Sequence, residues 1–205
     1  MSENKIRRAL NEKLEQSRQQ GKFIWKTKEL YEMGFSTRMV HAYVEDQILM
    51  RVKGGVYCQC EQKPTEEELI CELFPDGVLC MESALYEYGY INQRPLKWQI
   101  AIDKDTSKAR FKMDYPQVKP YYTEAKVLEI GVCEIPLGEN TMKIYDKERL
   151  IVDCIRYENQ LEHEILKSAL SHYLSEPEKK IANLLQYATE RKVISKVRAM
   201  IGVWL

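Results

Sequence analysis

The segment Phe23–Tyr57, FIWKTKELYEMGFSTRMVHAYVEDQILMRVKGGVY, decides the fold of the front of this chain. Its first half has the residues of two short helices joined by a tight turn. Thr27 is suited to cap the first helix, and Gly34 is suited to end it because glycine adopts positive φ at little cost. Ser36 or Thr37 can accept backbone N–H groups at the start of the second helix.

The second half of the segment has the pattern of a β-hairpin. Residues 49–52 and 56–57 read as two strands, and the glycines between them form the turn. Helical spacing predicts the inward side of both helices, which consists of Leu30, Tyr31, Met33, Val40, Val44 and Ile48. Two helices followed by a hairpin predict a winged helix-turn-helix.

In such an arrangement the second helix enters the DNA major groove, so outward side chains at its start are candidate DNA contacts. Arg38 is the candidate base reader, because a guanidinium group can bond guanine O6 and N7 together. Other residues of the helix starts and the hairpin are placed to contact phosphates or support the helix. The predicted DNA-contacting residues are Lys26, Thr27, Lys28, Ser36, Thr37, Arg38, His41, Arg51, Lys53 and Gly54. A winged helix used only for protein contacts is the alternative.

Charge is balanced over the whole chain but not along it. The 205 residues carry 31 Lys and Arg against 31 Asp and Glu. Residues 1–63 hold 12 basic and 8 acidic side chains, a net charge of +4, whereas residues 64–205 hold 19 and 23, a net charge of −4. A basic front and an acidic back fit a DNA-facing module joined to a second domain. We place the domain boundary at the Pro64 turn, which gives domains 1–62 and 63–205.

The remaining composition points to a cytoplasmic protein without a cofactor. No apolar run reaches the roughly 20 residues of a membrane span, and the N-terminus lacks the apolar part of a signal peptide. The six cysteines are therefore expected to be reduced thiols. A zinc site would draw on Cys58, Cys60, Cys71 and Cys80, but their spacing matches no common ligand pattern. The glycines form no phosphate-binding loop, so we expect no enzymatic activity.

The second domain is expected to be a small mixed sheet flanked by helices, which makes the whole chain α+β. Thr65 and Glu68 have capping-box spacing, and Gly89 is suited to end the helix over residues 79–88. Helical stripes continue from Asp146 to the C-terminus, with Pro177 at the first position of a helix. The predicted strands cover residues 98–102, 110–115, 126–133 and 141–145.

Three runs of this chain together resemble the AbiEi family. They are GGVY at 54–57, MESALYEYGYI at 81–91 and IYDKERLIVDCIRYEN at 144–159. Within them Ser83-Ala84-Leu85 and Glu148-Arg149 with Asp153 stand where that family has its serine-alanine-leucine helix start and its E-R-x-x-x-D helix. The resemblance covers most of the chain.

AbiEi proteins are antitoxins of type IV toxin–antitoxin systems of the abortive-infection kind. The resemblance implies that the winged helix represses transcription by binding inverted repeats in its own promoter. It also implies that the C-terminal domain neutralises a co-encoded nucleotidyltransferase-like toxin, without a stable complex being required. A solitary regulator with no toxin is a close alternative, since solitary relatives occur. Glu148, Arg149 and Asp153 match the family pattern, but internal salt bridges are the favoured interpretation of them.

The enzymatic alternative is a magnesium-dependent nuclease. Asp114 followed by Glu124 and Lys126 has the order of two metal-binding carboxylates and a lysine that activates water. In a chain that is 30% charged such a spacing arises readily, and Glu124 and Lys126 are equally explained as the solvated side of a strand. Nuclease activity is therefore the less favoured hypothesis.

Overall fold

The computed structural model describes residues 3–61, 63–113 and 115–204. These residues form ten α-helices and eight β-strands, so the α+β fold class is confirmed. The helices are α1 (Glu3–Gln19), α2 (Thr27–Glu32), α3 (Thr37–Glu45), α4 (Glu66–Leu73), α5 (Met81–Glu87), α6 (Ala125–Leu128), α7 (Lys147–Arg156), α8 (His163–Ser175), α9 (Ile181–Glu190) and α10 (Ile194–Ile201). The strands are β1 (Ile24–Lys26), β2 (Leu49–Lys53), β3 (Val56–Gln59), β4 (Val78–Leu79), β5 (Trp98–Asp103), β6 (Val118–Thr123), β7 (Val132–Leu137) and β8 (Asn140–Tyr145).

The chain divides into two compact units. The first unit comprises the described part of Met1–Leu73 together with Lys112–Pro116, and the second comprises Phe74–Phe111 and the described part of Gln117–Leu205. Lys63, at the domain boundary predicted from the sequence, falls within the first unit, and residue 62 lies outside the described residues. The functional division at that point stays a prediction. No helix among the described residues is long and apolar enough to cross a membrane.

The first unit has the predicted winged helix-turn-helix. Its antiparallel sheet has the order β1-β3-β2, and β2 and β3 form the hairpin, or wing. The sequence did not predict β1, because three residues are too few to show a period-two pattern. Outside the hairpin, β2 is also bordered by the segment around Met113: Lys53 forms a bridge with Met113, and the Tyr115 N–H donates to the Val52 carbonyl at 3.4 Å.

The core of the first unit joins α1 to the helix-turn-helix. Leu10 and Leu14 of α1 pack in one cluster with residues of β1, α2 and α3. Within this cluster the Trp25 indole N–H donates to Ser17 Oγ at 3.0 Å, so the only polar atom of a fully buried ring is satisfied. The other buried members are Leu30, Phe35, Val40, Tyr43 and Leu49.

The second unit is built on a mixed sheet of order β6-β5-β4-β8-β7. β5 pairs in parallel with β6 and β4 in parallel with β8, whereas the β4–β5 and β7–β8 pairs are antiparallel. Helix α7 contacts α5, α8, α9 and α10, so it is the common packing partner of these helices. All of its residues from Glu148 to Ile155 are buried. The small mixed sheet flanked by helices is therefore as predicted.

Two predicted strands are wrong. Most of residues 110–115 is not a strand: Lys108–Phe111 is a 3₁₀ helix, and Asp114 lies outside the described residues. Residues 126–133 begin with α6 and enter β7 only at Val132. Strands β4 and β6 were not predicted. β4 has two residues and β6 has six. Over so few residues a short helix and a strand cannot be distinguished by the periodicity of apolar side chains.

The helix boundaries agree better with the sequence. The Thr65–Glu68 capping box is confirmed, because the Thr65 N–H donates to Glu68 Oε2 at 2.7 Å and the Glu68 N–H donates to Thr65 Oγ1 at 3.2 Å. Gly89 follows α5 with φ +69°. The placement of Pro177 is wrong, since the next helix begins only at Ile181.

Candidate nucleic-acid interface

The turn between α2 and α3 is fixed by local hydrogen bonds. Gly34 has φ +105°, in the left-handed region that the prediction requires. Ser36 is the N-cap of α3, and its Oγ accepts the Met39 N–H at 3.3 Å. The cap of α2 differs from the prediction: the helix begins at Thr27 itself, and Lys26 stands at the N-cap. Glu29 accepts the Lys26 N–H at 2.7 Å, which is one half of a capping box, and a lysine side chain has no acceptor to supply the other half.

Helix α3 is held against the core by Val40 and Tyr43, both buried. The Tyr43 ring packs edge-to-face on Phe35 with centroids 5.0 Å apart, and its hydroxyl donates to the Arg7 carbonyl at 3.1 Å. Val44 and Ile48, predicted to face inward, are half-buried beside the cluster. With α3 fixed in this way, its opposite face is presented to solvent.

The solvent-facing side of α3 carries the predicted contact residues. Ser36, Thr37, Arg38 and His41 are all exposed. Neither the Arg38 nor the His41 side chain forms a hydrogen bond or ion pair with another residue that the structure describes. A cation at the start of an exposed helix therefore has its donors available for an external acceptor.

The wing turn is tied to the start of α2 through Thr27. The Thr27 N–H donates to the Gly55 carbonyl at 2.8 Å, and Thr27 Oγ1 donates to the same oxygen at 3.2 Å. Both side-chain and backbone bonds therefore hold the hairpin tip. Arg51 and Gly54 are exposed beside this turn, and Lys53 is half-buried. Thr27 thus positions the wing as well as beginning the helix.

Lys26 and Lys28 are exposed at the start of α2. Lys28 Nζ lies 3.8 Å from Glu32 of the same helix, a loose pair between two solvated side chains that screening makes weak. The predicted residues therefore lie on three pieces of backbone: the start of α2, the start of α3 and the wing, of which the start of α2 and the wing are joined through Thr27.

The first unit also has a groove whose charged lining residues are all acidic. This groove of about 780 Å³ is lined by no Lys or Arg side chain, and none of the ten predicted DNA-contacting residues lines it. Three of its four carboxylates form salt bridges with arginines of α1, Glu12 with Arg8, Glu15 with Arg18 and Asp46 with Arg7, so their charges are largely compensated. The groove is lined by Asn11, Glu12, Glu15, Gln16, Gln19, Asp46, Gln47, Ile48, Gln59 and Glu61.

Tyr31 is the residue that sequence reasoning placed wrongly. The helical pattern assigned it to the inward side of α2, but it is 44% exposed. Its hydroxyl lies 2.9 Å from Thr37 Oγ1, where either group can be the donor. A helix of six residues has too few turns to define its buried face by periodicity, so no sequence pattern identified this position.

The nuclease residues do not have the predicted geometry. Glu124 is the N-cap of α6 and Lys126 lies within α6, so neither is on a strand. They form an exposed pair with Lys126 Nζ 3.4 Å from Glu124 Oε2, and this contact lowers the pKa of the Glu124 carboxyl. Asp114 lies outside the described residues. Among the described residues no three His, Cys, Asp or Glu side chains are grouped as a metal would need.

The cysteines named above as potential zinc ligands occupy different environments. Cys58 and Cys80 are buried, and Cys60 and Cys71 are half-buried. Burial raises the pKa of the Cys58 thiol to about 11 and also raises the pKa of Cys80 well above its ordinary value. Protonated buried thiols are poor metal ligands and poor nucleophiles.

Arg149 and Asp153 of α7 form a buried salt bridge, as the internal interpretation of these residues expects. Asp153 is the common partner of Arg149 and Arg191, with N–O distances of 3.0 and 2.8 Å. Arg149 also donates from one terminal nitrogen to the carbonyls of Val127 and Ile130, both at 2.8 Å. Although burial lowers the pKa of Arg191, the Asp153 carboxylate raises it above its ordinary value.

Glu148 is buried in the same helix and holds the chain that leads into α9. It accepts the Lys180 N–H at 2.8 Å and the Tyr173 hydroxyl at 3.4 Å. The three residues of the E-R-x-x-x-D pattern therefore hold the second unit together.

No model of a known protein family matches this chain, and no curated protein matches it either.

Proposed function

We propose that the first unit binds double-stranded DNA with α3 in the major groove and the wing on the backbone. The observation that carries this proposal is the exposed Thr37-Arg38 start of α3, in a unit whose wing turn is fixed by Thr27. Arg38 is the base reader, while Lys26, Lys28 and Lys53 neutralise phosphates. The target is an operator with inverted repeats in the promoter of the chain's own gene, and the consequence is autorepression.

Arg38→Ala tests the reading role. We expect it to lower affinity for the operator by about 1–3 kcal/mol and to relax sequence preference, because the fork to guanine is lost. Fluorescence anisotropy with a footprinted promoter duplex and an unrelated duplex measures both effects. Because the Arg38 side chain is exposed, the urea midpoint of the Arg38→Ala variant should equal that of the wild type.

Lys53→Ala is the matched counterpart on the wing. It should weaken binding to both duplexes alike and reduce the slope of log affinity against log salt by about 1. Arg198→Ala, an exposed arginine of the second unit, serves as the charge-matched control. Wild-type affinity in both test variants would contradict the proposed docking of helix and wing.

We further propose that the second unit acts as an antitoxin against a co-encoded nucleotidyltransferase-like toxin. The AbiEi-like runs at 81–91 and 144–159, both within this unit, support the proposal. Co-expression of the full chain with the neighbouring gene tests it by growth. A toxic neighbour that the wild-type chain does not relieve would contradict the antitoxin role. Arg38→Ala should still relieve toxicity while derepressing the promoter, which separates the two functions.

A further inference from the structure

Tyr31 places an aromatic hydroxyl on the exposed face of the helix-turn-helix. It is one of five large hydrophobic side chains that are exposed among the described residues, and its hydroxyl is 2.9 Å from Thr37 Oγ1. The contact links α2 to the first residue of α3, next to Arg38. Both partners are exposed, so burial does not require this bond.

The hydrogen bond between Tyr31 and Thr37 uses only one of the two hydroxyl protons of this pair. Two hydroxyl groups carry two protons, and the bond between them uses one. The other proton is available to an external acceptor, whichever group donates to its partner. The bond also restricts Thr37, whose side chain otherwise divides between two rotamers in a helix. Less rotamer freedom is then lost when the hydroxyl engages a ligand.

We propose that Tyr31 is a positioning residue of the DNA interface: it holds the Thr37 hydroxyl so that the pair donates one hydrogen bond to a DNA phosphate. This inference rests on the proposed DNA binding and adds a residue of α2 to it. A phosphate oxygen is the expected acceptor because Tyr31 lies on the first helix of the helix-turn-helix, which crosses the backbone rather than the base edges. Tyrosine and threonine hydroxyls are common phosphate donors.

Tyr31→Phe keeps the ring and removes the hydroxyl. We expect about a tenfold loss of affinity, in the range for a hydrogen bond to a charged group. The loss should be equal on the operator and on an unrelated duplex, because a phosphate contact carries no base information. The salt dependence between about 50 and 200 mM should stay that of the wild type, because no charge is removed. Lys53→Ala provides the contrasting salt slope.

Thr37→Val and the double variant show whether the two hydroxyls act together. If Tyr31 acts through Thr37, the double variant should bind DNA with the same affinity as whichever single variant binds DNA more weakly. Tyr145→Phe is the matched control, because its buried hydroxyl donates to the Leu128 carbonyl inside the second unit. The control should lower the urea midpoint and leave DNA affinity unchanged. Tyr31→Phe should lower DNA affinity and leave the urea midpoint unchanged.

Two results overturn the inference while the proposed function stands. One is a failure of the hydroxyl pair to act in binding, which would be seen as wild-type affinity of Tyr31→Phe or as independent addition of the two single losses. The other is a loss confined to the operator, which would make Tyr31 a base reader. A wild-type chain that binds no duplex, including its own promoter, would instead overturn the proposed function itself.

Discussion

The two units use charged side chains in opposite ways. In the first unit Lys26, Arg38 and Arg51 are exposed around a small apolar core. In the second unit Arg149 and Asp153 are buried inside a helix packed on several sides. Exposed charges contribute little to stability and are available to a ligand, whereas buried paired charges become part of the fold.

Sequence pattern alone does not show whether a charged motif of this chain is buried or exposed. Glu148, Arg149 and Asp153 form a charged pattern as conspicuous as any on the wing. Their neighbours in space are backbone carbonyls and side chains far along the chain, including Arg191. A charged motif in the sequence therefore has to be located in the fold before a binding role is assigned to it.

The largest expected effect is that of removing the shared carboxylate. Asp153→Ala leaves two guanidinium groups buried without their anion and should lower the free energy of unfolding by about 3–5 kcal/mol. Urea unfolding followed by circular dichroism measures the loss. Glu164→Ala is the control: its pair with Lys167 spans 3.8 Å between side chains 79% and 70% exposed, so we expect a change within about 0.5 kcal/mol. Equal effects would break the contrast between buried and exposed charges.

A second effect depends on the space beside Arg149. Gly131 has φ +71°, and a Cβ there would lie 2.6 Å from Arg149 Cβ. Gly89 has φ +69° with nothing within 4 Å of the same position. Gly89→Ala should therefore cost only the backbone strain of about 1–2 kcal/mol, and Gly131→Ala should cost more by at least about 1 kcal/mol. Thermal and urea unfolding measure the loss of stability in the two variants. Similar losses would mean that the Arg149 side chain shifts at little cost to make room for the added methyl group.

The smallest effect is a pH dependence. Burial raises the pKa of Asp146. The hydrogen bonds that Asp146 accepts from the Arg149 N–H and the Tyr187 hydroxyl lower this pKa, but burial has the larger effect. Between the unfolded and the raised folded pKa the folded state binds more protons, so this group makes stability fall as pH rises. Asp146→Asn keeps an N-cap acceptor and should remove that fall.

The control for this experiment is Asp76, whose pKa is lowered by its hydrogen bond to Arg110. It contributes stability above its unfolded pKa that is lost as pH falls, so Asp76→Asn should change the pH profile in the opposite direction. Urea midpoints at a series of acidic pH values measure both profiles. A shift of the same sign in the two variants would contradict these assignments.

Much of the first unit could be predicted from local chemistry. Gly34, Ser36 and the glycines of the wing each have a conformational or capping role that neighbouring residues already define. The second unit was harder, because its sheet pairs β4 with both β5 and β8 across long sequence separations. The six-residue α2 and the four-residue α6 gave no usable periodicity, which is why Tyr31 and Lys126 were misplaced.

The sequence by itself determined the α+β class and the helix-turn-helix with its wing. Helix caps, glycine turns and apolar spacing act over a few residues, so they can be read directly. Tertiary structure alone decided that Tyr31 joins Thr37, that Thr27 holds the wing and that Arg149, Asp153 and Arg191 form one buried network. These outcomes depend on desolvation and on partners distant in sequence, since a charge is structural or available only according to what surrounds it in space.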